Sequence, residues 1–290
     1  MAILQRTVAE SLHVKTALKK TVSNLARTYL SVSIVIVTIL QVTTSVQHIS
    51  NRMKILQNNI QSMNTSNHWL INAAQKHQPQ VIALQEVWTP NDDINIPGYK
   101  LASKWYRKKK DNDKVTGGGV AIFCTGDAKV VDLTEFQVEN LEACWADIMV
   151  NGERLVFGSV YINVGKINEI EILEKVMTKI LASHKKILVC LDANSRSLQW
   201  DPSCINRERS SMVRKMGERF EELSLELSMD VLNNGQLTYH SGEHATAVDI
   251  TLAHGIQSTE KMKWYTIDDM LQTPHKGITI EFGNKKEFKK

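Results

Sequence analysis

From residue 53 onward the chain consists of short apolar runs separated by turn-forming residues, and this pattern limits the possible folds more than any other feature. Six such runs lie at 54–60, 80–88, 118–124, 143–150, 154–163 and 186–194. Short runs rich in Val and Ile are typical of strands buried on one or both faces. Four further candidate strands lie at 236–241, 247–255, 261–267 and 278–282, and the last of these alternates strictly between apolar and polar residues.

Two segments between these runs have apolar residues at helical spacing. In Ile167–Ser183 the stripe consists of Ile167, Ile170, Leu173, Val176, Met177, Ile180 and Leu181. In 212–228 it consists of Met212, Val213, Met216, Phe220, Leu223 and Leu227. One-sided apolar stripes predict helices that cover a sheet. The chain is therefore predicted to be an α+β protein, a four-layered α/β sandwich of two packed mixed β-sheets with outer helices.

The net charge of +4 is unevenly distributed along the chain. Residues 1–52 contain six basic residues and one acid, which gives +5, so residues 53–290 carry 4 − 5 = −1. The body of the protein is therefore not a uniformly basic nucleic-acid-binding surface. Its basic residues are local, in KWYRKKK at 104–110 and KKEFKK at the end. Such clusters either contact phosphates or form solvated surface.

Residues 1–52 differ in composition from residues 53–290. We predict that they form an N-terminal extension, either poorly ordered or a single helix, to a single domain spanning 53–290. The extension is rich in Ser, Thr and Val, and its apolar stretch 30–42 is short for a membrane span of about 20 residues. A transit peptide, a signal anchor and non-functional sequence upstream of an older start at Met53 are alternatives, and we favour the last. A nuclear or cytoplasmic location is favoured, but membrane anchoring and organellar targeting stay open.

The four cysteines, Cys124, Cys144, Cys190 and Cys204, lack CxxC spacing. We interpret them as buried thiols of a reducing compartment and not as zinc ligands or disulfides.

Polar residues that can do chemistry collect at the ends of the apolar runs. They are Asn59, Glu86, Tyr161, Asp192, Asn194, Asp249 and His275. Side chains at strand ends point to a shared rim, where sites on sheet scaffolds are usually built. A hard cation such as Mg²⁺ prefers carboxylate and carbonyl oxygens, which Glu86 and the Asp192 region offer.

The motifs ILQNNI, ALQEVW, GGGVAIF, VYIN, CLDANS, AVDITLA and PHKGITI resemble, in this order, those of the endonuclease/exonuclease/phosphatase superfamily, which includes deoxyribonuclease I and abasic-site endonucleases. The resemblance covers about residues 53–283. The stretch from DANSRSLQW to AVDITLA is particularly similar to the endonuclease domains of non-LTR retrotransposons. The resemblance implies a Mg²⁺-dependent DNA endonuclease, with Mn²⁺ as a possible substitute. It implies DNA as the partner of a monomer that needs no stable protein partner.

The resemblance also implies a role for each matched residue. Glu86 would bind the metal, with Asn59 beside it, and Asp192 would align or deprotonate the attacking water. Asn194 and Tyr161 would hold the phosphate. His275, oriented by Asp249, would stabilise the developing negative charge. Thr246 matches a hydroxyl position of the retrotransposon group and would contact the DNA backbone.

The chain departs from the family pattern at two positions. Pro274 stands where an aspartate that helps to hold the metal usually precedes the histidine, and Asn163 stands where proline is commoner. Because no reverse-transcriptase sequence follows, we expect a detached nuclease domain. The alternative function is a catalytically impaired or inactive retroelement-derived relic that can bind DNA, and a lipid-headgroup phosphatase is less favoured.

Overall fold

A computed structural model describes residues 52–88, 95–106, 117–150, 152–206, 211–256, 262–268 and 273–283 of the protein. The predictions for residues 1–51 and for most of the basic cluster at 104–110 therefore lie outside the described residues. No helix in the described ranges is long and apolar enough to cross a bilayer.

The described part of the chain contains three α-helices and fourteen strands. The helices are α1 (Met63–His77), α2 (Ile167–Ser183) and α3 (Met212–Glu226). The strands are β1 (Met53–Asn59), β2 (Val81–Gln85), β3 (Tyr99–Trp105), β4 (Val120–Thr125), β5 (Lys129–Asp132), β6 (Glu142–Val150), β7 (Glu153–Tyr161), β8 (Ile187–Asp192), β9 (Asp230–Val231), β10 (Tyr239–Ser241), β11 (His244–Thr246), β12 (Asp249–His254), β13 (Lys263–Ile267) and β14 (Gly277–Phe282).

Two six-stranded sheets form the centre of the fold. Their strand orders are β13-β14-β1-β2-β4-β3 and β5-β6-β7-β8-β12-β9, and β10 and β11 form a separate hairpin. Each large sheet is mixed, because β1 pairs with β2 and β7 pairs with β8 in parallel, whereas their other pairings are antiparallel. In each parallel pair a helix connects the two strands, α1 in the first sheet and α2 in the second.

Three hydrophobic cores divide the fold into four layers. The central core, with Ile55, Ile122 and Phe157, fills the space between the sheets. An outer core joins the first sheet to α1 through residues such as Leu70. A second outer core joins α2 and α3 to the other sheet through residues such as Phe220. The predicted sandwich is confirmed, and the four cysteines are buried free thiols as predicted.

Buried polar side chains link the two sheets close to the ends of the parallel strands. The Gln57 amide donates to the carbonyl oxygens of Leu191 (3.0 Å) and Ile250 (3.2 Å) of the opposite sheet. The Gln85 amide donates to Ser159 Oγ at 2.9 Å. Buried polar groups are costly unless they are paired, so these bonds favour one alignment of the two sheets.

The sheet topology explains why distant residues meet at one rim. Tyr161 and Asp192 end the parallel strands β7 and β8 and lie opposite each other. Because β12 is antiparallel to β8, its first residue Asp249 also lies opposite Asp192. In the other sheet Asn59 ends β1, and His275 lies two residues before the antiparallel partner strand β14.

The structure differs from the sequence-based expectation in several elements. Helix α1 was not predicted, because its polar sequence buries only five of its residues. The edge strand β3 was missed too, and it includes Lys104, the first residue of the basic cluster at 104–110. In α3 the predicted stripe is buried at Met216, Phe220 and Leu223, but its first member, Met212, is exposed.

Candidate active site

The Asn59 side chain connects the two sheets at the rim. Its amide nitrogen lies 2.7 Å from Glu86 Oε1 and 2.8 Å from Asp192 Oδ2, and it donates to both. Its carbonyl oxygen accepts the Gln61 backbone N–H at 3.1 Å. Asn59 is fully buried, so this amide fixes the separation of a carboxylate from each sheet.

Glu86 follows β2 in a backbone conformation that orients its side chain. Its φ is +51°, which is rare for a residue with a long side chain and is kept only where surrounding contacts impose it. Its second carboxylate oxygen, Oε2, accepts a hydrogen bond from the Trp88 indole at 3.1 Å. Both oxygens of Glu86 therefore have an N–H donor, and each keeps a further lone pair.

Asp192 lies at the centre of the site and is 1% exposed. Its Oδ1 accepts the backbone N–H of Asn194 at 3.2 Å. Asn194 has a φ of +44° and donates its side-chain amide to the Ile162 carbonyl oxygen at 3.1 Å. Tyr161 lies beside Asp192 in the ladder and is half-buried.

His275 and Asp249 form a buried pair next to Asp192. The His275 Nδ1 lies 3.1 and 3.0 Å from the two Asp249 carboxylate oxygens. Its Nε2 faces Asp192 Oδ2 at 4.0 Å. The Tyr239 ring packs edge-on against the imidazole, with the ring centroids 4.9 Å apart. The histidine is therefore fixed in both position and ring orientation.

Neighbouring residues hold this pair in place. The Thr238 hydroxyl oxygen accepts the backbone N–H of Asp249 at 3.1 Å. The Thr273 hydroxyl donates to the Asn59 carbonyl oxygen at 3.2 Å. The Pro274 carbonyl oxygen accepts the His240 N–H at 2.8 Å. The segment before His275 is thus joined both to β1 and to the hairpin.

The structure brings seven of the predicted residues together: Asn59, Glu86, Tyr161, Asp192, Asn194, Asp249 and His275. Thr246 is connected to this cluster through one intervening residue. Thr246 lies in the hairpin opposite Tyr239, the residue that packs on His275. Asn163 lies outside the cluster, where it donates to the Glu169 carboxylate at the start of α2. Sequence reasoning missed Thr238, Tyr239 and Trp88. Of these three, only Trp88 could have been selected from the sequence, because it lies two residues after Glu86.

The packing of acids determines the protonation of the cluster. Burial raises the pKa of Asp192 to about 7, and the Asp249 charge adds to this, although His275 and the Asn59 hydrogen bond oppose it. Burial also raises the pKa of Tyr161 well above its usual range, and the Glu86 and Asp192 charges add to the increase. The Tyr161 phenol therefore stays protonated near neutral pH and can donate a hydrogen bond.

The residues at the rim fit a hard divalent cation. Asp192, Asp249 and His275 each offer a ligand atom within 4.8 Å of the others. The two Asp249 oxygens are, however, already engaged by His275. Glu86 instead combines free lone pairs with partial exposure, and the Asn59 amide lies beside it. Carboxylate oxygens suit Mg²⁺ or Mn²⁺, so Glu86, oriented by the Asn59 N–H group, is the better place for an ion.

The charged form of His275 should stabilise the fold in a pH-dependent way. Burial lowers its pKa, but the charge and hydrogen bond of Asp249, with the Asp192 and Glu86 charges, outweigh burial and raise the pKa to about 9. Because the folded-state pKa is raised, protonated His275 gives its full stabilisation below the unfolded-state pKa of about 6.5. This stabilisation is lost as the pH rises through 9.

Denaturant unfolding in EDTA measures this contribution. At pH 6 the natural chain should have a larger free energy of unfolding than His275→Gln, and the difference should shrink between pH 6.5 and 9.5. A difference that is constant over this range would show that His275 is neutral in the folded protein.

Comparison with known proteins agrees with this architecture. The family described as "Endonuclease-reverse transcriptase" matches residues 155–279. No curated protein matches the chain in sequence. The endonuclease domain of TRAS1, a telomere-specific non-LTR retrotransposon, is 17% identical with a TM-score of 0.63, over 80% of this chain and 98% of that one.

Two further solved structures share the fold. The AP endonuclease LMAP from Leishmania major is 10% identical with a TM-score of 0.61, over 81% of this chain and 88% of that one. The 3′ phosphatase NExo from Neisseria, bound to a product DNA hairpin, is 16% identical with a TM-score of 0.59, over 80% of this chain and 100% of that one. The chain is thus similar to the "Endonuclease-reverse transcriptase" family over residues 155–279, and it shares its fold with these three enzymes.

Proposed function

We propose that the chain is a divalent-metal-dependent phosphodiesterase that nicks one strand of DNA, with Mg²⁺ as the ion and Mn²⁺ as a substitute. One observation carries the proposal: the Asn59 amide holds the Glu86 and Asp192 carboxylates together, and Asp192 lies 4.0 Å from a histidine that Asp249 fixes. This arrangement combines an ion site, a base and a cationic acid within one rim.

Each residue at the rim has a separate role in the proposed reaction. A bound divalent ion supplies charge neutralisation at the phosphate and lowers the pKa of a water molecule. Asp192 orients the attacking water and accepts its proton. Tyr161 and Asn194 donate hydrogen bonds to the phosphate oxygens. His275, held as a cation by Asp249, stabilises the negative charge that develops on the phosphate.

Conversion of supercoiled plasmid to the nicked form tests the proposal. We expect nicking with Mg²⁺ or Mn²⁺, none with EDTA, and loss of activity in Glu86→Gln, which removes the carboxylate charge and keeps the side-chain length. Glu153→Gln is the matched control, since Glu153 lies on the surface in an ion pair with Lys186. Activity of Glu86→Gln equal to that of the control would contradict an ion site at Glu86.

The same preparation should be given a hairpin with a 3′-phosphate. Because a DNA 3′ phosphatase shares the fold, phosphate release without plasmid nicking would identify a phosphomonoesterase instead. The relic hypothesis rests on Pro274, which replaces a carboxylate of the family pattern. A folded chain that binds plasmid and neither nicks it nor releases phosphate would favour that hypothesis.

A further inference from the structure

Trp88 combines exposure with a polar contact inside the candidate site. Its side chain is 43% exposed, although large aromatic side chains usually bury most of their surface. Its indole N–H nevertheless donates to Glu86 Oε2 at 3.1 Å. The Asn59 amide holds the other oxygen of the same carboxylate at 2.7 Å. Glu86 is therefore held from two sides, by one donor from β1 and one from its own loop.

The backbone around Trp88 keeps the indole in this place. The φ of Trp88 is +51°, the same as that of Glu86, and a residue of this size takes such a conformation only where its surroundings require it. Its N–H donates to the Gly118 carbonyl oxygen at 3.0 Å, and the Val87 N–H donates to that of Gly119 at 3.1 Å. A Cβ atom at position 117 would lie 3.6 Å from the indole nitrogen of Trp88.

A buried acid anchors the glycine run in turn. Glu142 is 3% exposed and accepts the Gly119 N–H at 2.8 Å. A Cβ at Gly118 would lie 2.7 Å from the same carboxylate, so a side chain at position 118 would have to displace Glu142. These contacts connect Glu142, through the glycines, to Trp88 and then to Glu86.

From these contacts we infer that Trp88 is a positioning residue for the metal-binding carboxylate of Glu86. The inference rests on the proposed function, in which Glu86 binds the ion. Partners that hydrogen-bond to a metal ligand fix its orientation, and their loss typically weakens metal affinity roughly 10–100-fold. An indole suits this position because it only donates, so it cannot compete with Glu86 for the cation.

Metal binding itself tests the inference without reference to catalysis. Mn²⁺ affinity is measured by electron paramagnetic resonance of the free ion, for the natural chain and for Trp88→Phe. Phenylalanine keeps an aromatic ring and removes the donor, and we expect its dissociation constant for Mn²⁺ to rise roughly 10–100-fold. Trp69→Phe, on helix α1, is the matched control and should bind as the natural chain does.

The outcomes separate this inference from the proposed function. If the natural chain binds Mn²⁺ and Glu86→Gln does not, the ion site stands. Equal Mn²⁺ affinity of the natural chain and Trp88→Phe would then overturn the role of Trp88 alone. An unchanged affinity with a higher KM for DNA would also overturn it, by assigning the ring to the substrate. Failure of the natural chain to bind Mn²⁺ at millimolar concentration would overturn both proposals.

Discussion

Asp192→Asn should lower the rate of DNA nicking by roughly 10²–10⁴-fold at saturating Mg²⁺, the contribution expected of a positioned general base. Asparagine has nearly the same shape as aspartate but cannot accept the proton of the attacking water. Asp192 is the carboxylate that both Asn59 and His275 face, at 2.8 and 4.0 Å. The Glu86 carboxylate is unchanged in this variant, so Mn²⁺ should still bind.

The stability of this variant distinguishes a catalytic effect from a folding defect. Burial and the Asp249 charge raise the pKa of Asp192, which means that both disfavour its charged form. A neutral side chain removes that repulsion, so the melting temperature in EDTA should not fall. Asp230→Asn makes the same chemical change at an exposed edge strand and serves as the control. Nicking by Asp192→Asn at a tenth or more of the natural rate would exclude Asp192 as the base.

The elements that were predicted correctly are those with a strong local pattern. Helix α2 begins and ends where its apolar stripe does, because Ile170, Leu173, Met177 and Ile180 all face one sheet. Helix α1 gave no such signal, since Leu70 is its one large aliphatic residue that is fully buried. Strand β3 lies at a sheet edge, where charged residues are tolerated, so its composition resembles that of a loop.

The site residues could be selected from the sequence because the motifs occur in order, but their contacts could not be predicted. The Asn59 bridge depends on the alignment of two sheets whose strands are far apart in the chain, and 133 positions separate Asn59 from Asp192. The bond between Trp88 and Glu86 depends on two left-handed backbone conformations that neither residue type favours. Such contacts result from tertiary packing and have no local pattern.

Pro274→Asp should raise nicking activity and lower the Mg²⁺ concentration that half-maximal nicking requires. Position 274 lies between Thr273, which donates to the Asn59 carbonyl oxygen, and His275, which faces Asp192. A carboxylate there would add negative charge close to the proposed ion site at Glu86. The ion is the largest local charge in such a site, so one more carboxylate should strengthen its binding markedly.

Pro274→Asn separates the carboxylate from the loss of proline. Both substitutions remove the ring, and each should cost no more than about 1 kcal/mol of stability through unfolded-state entropy. The Pro274 carbonyl, which accepts the His240 N–H, is retained in both. The expected order of activity is Pro274→Asp above Pro274→Asn, with Pro274→Asn close to the natural chain. Adding Glu86→Gln to Pro274→Asp should abolish the gain, since the new carboxylate acts through the same ion. Equal nicking by the aspartate and asparagine variants at every Mg²⁺ concentration would show that a charge at position 274 does not reach the metal.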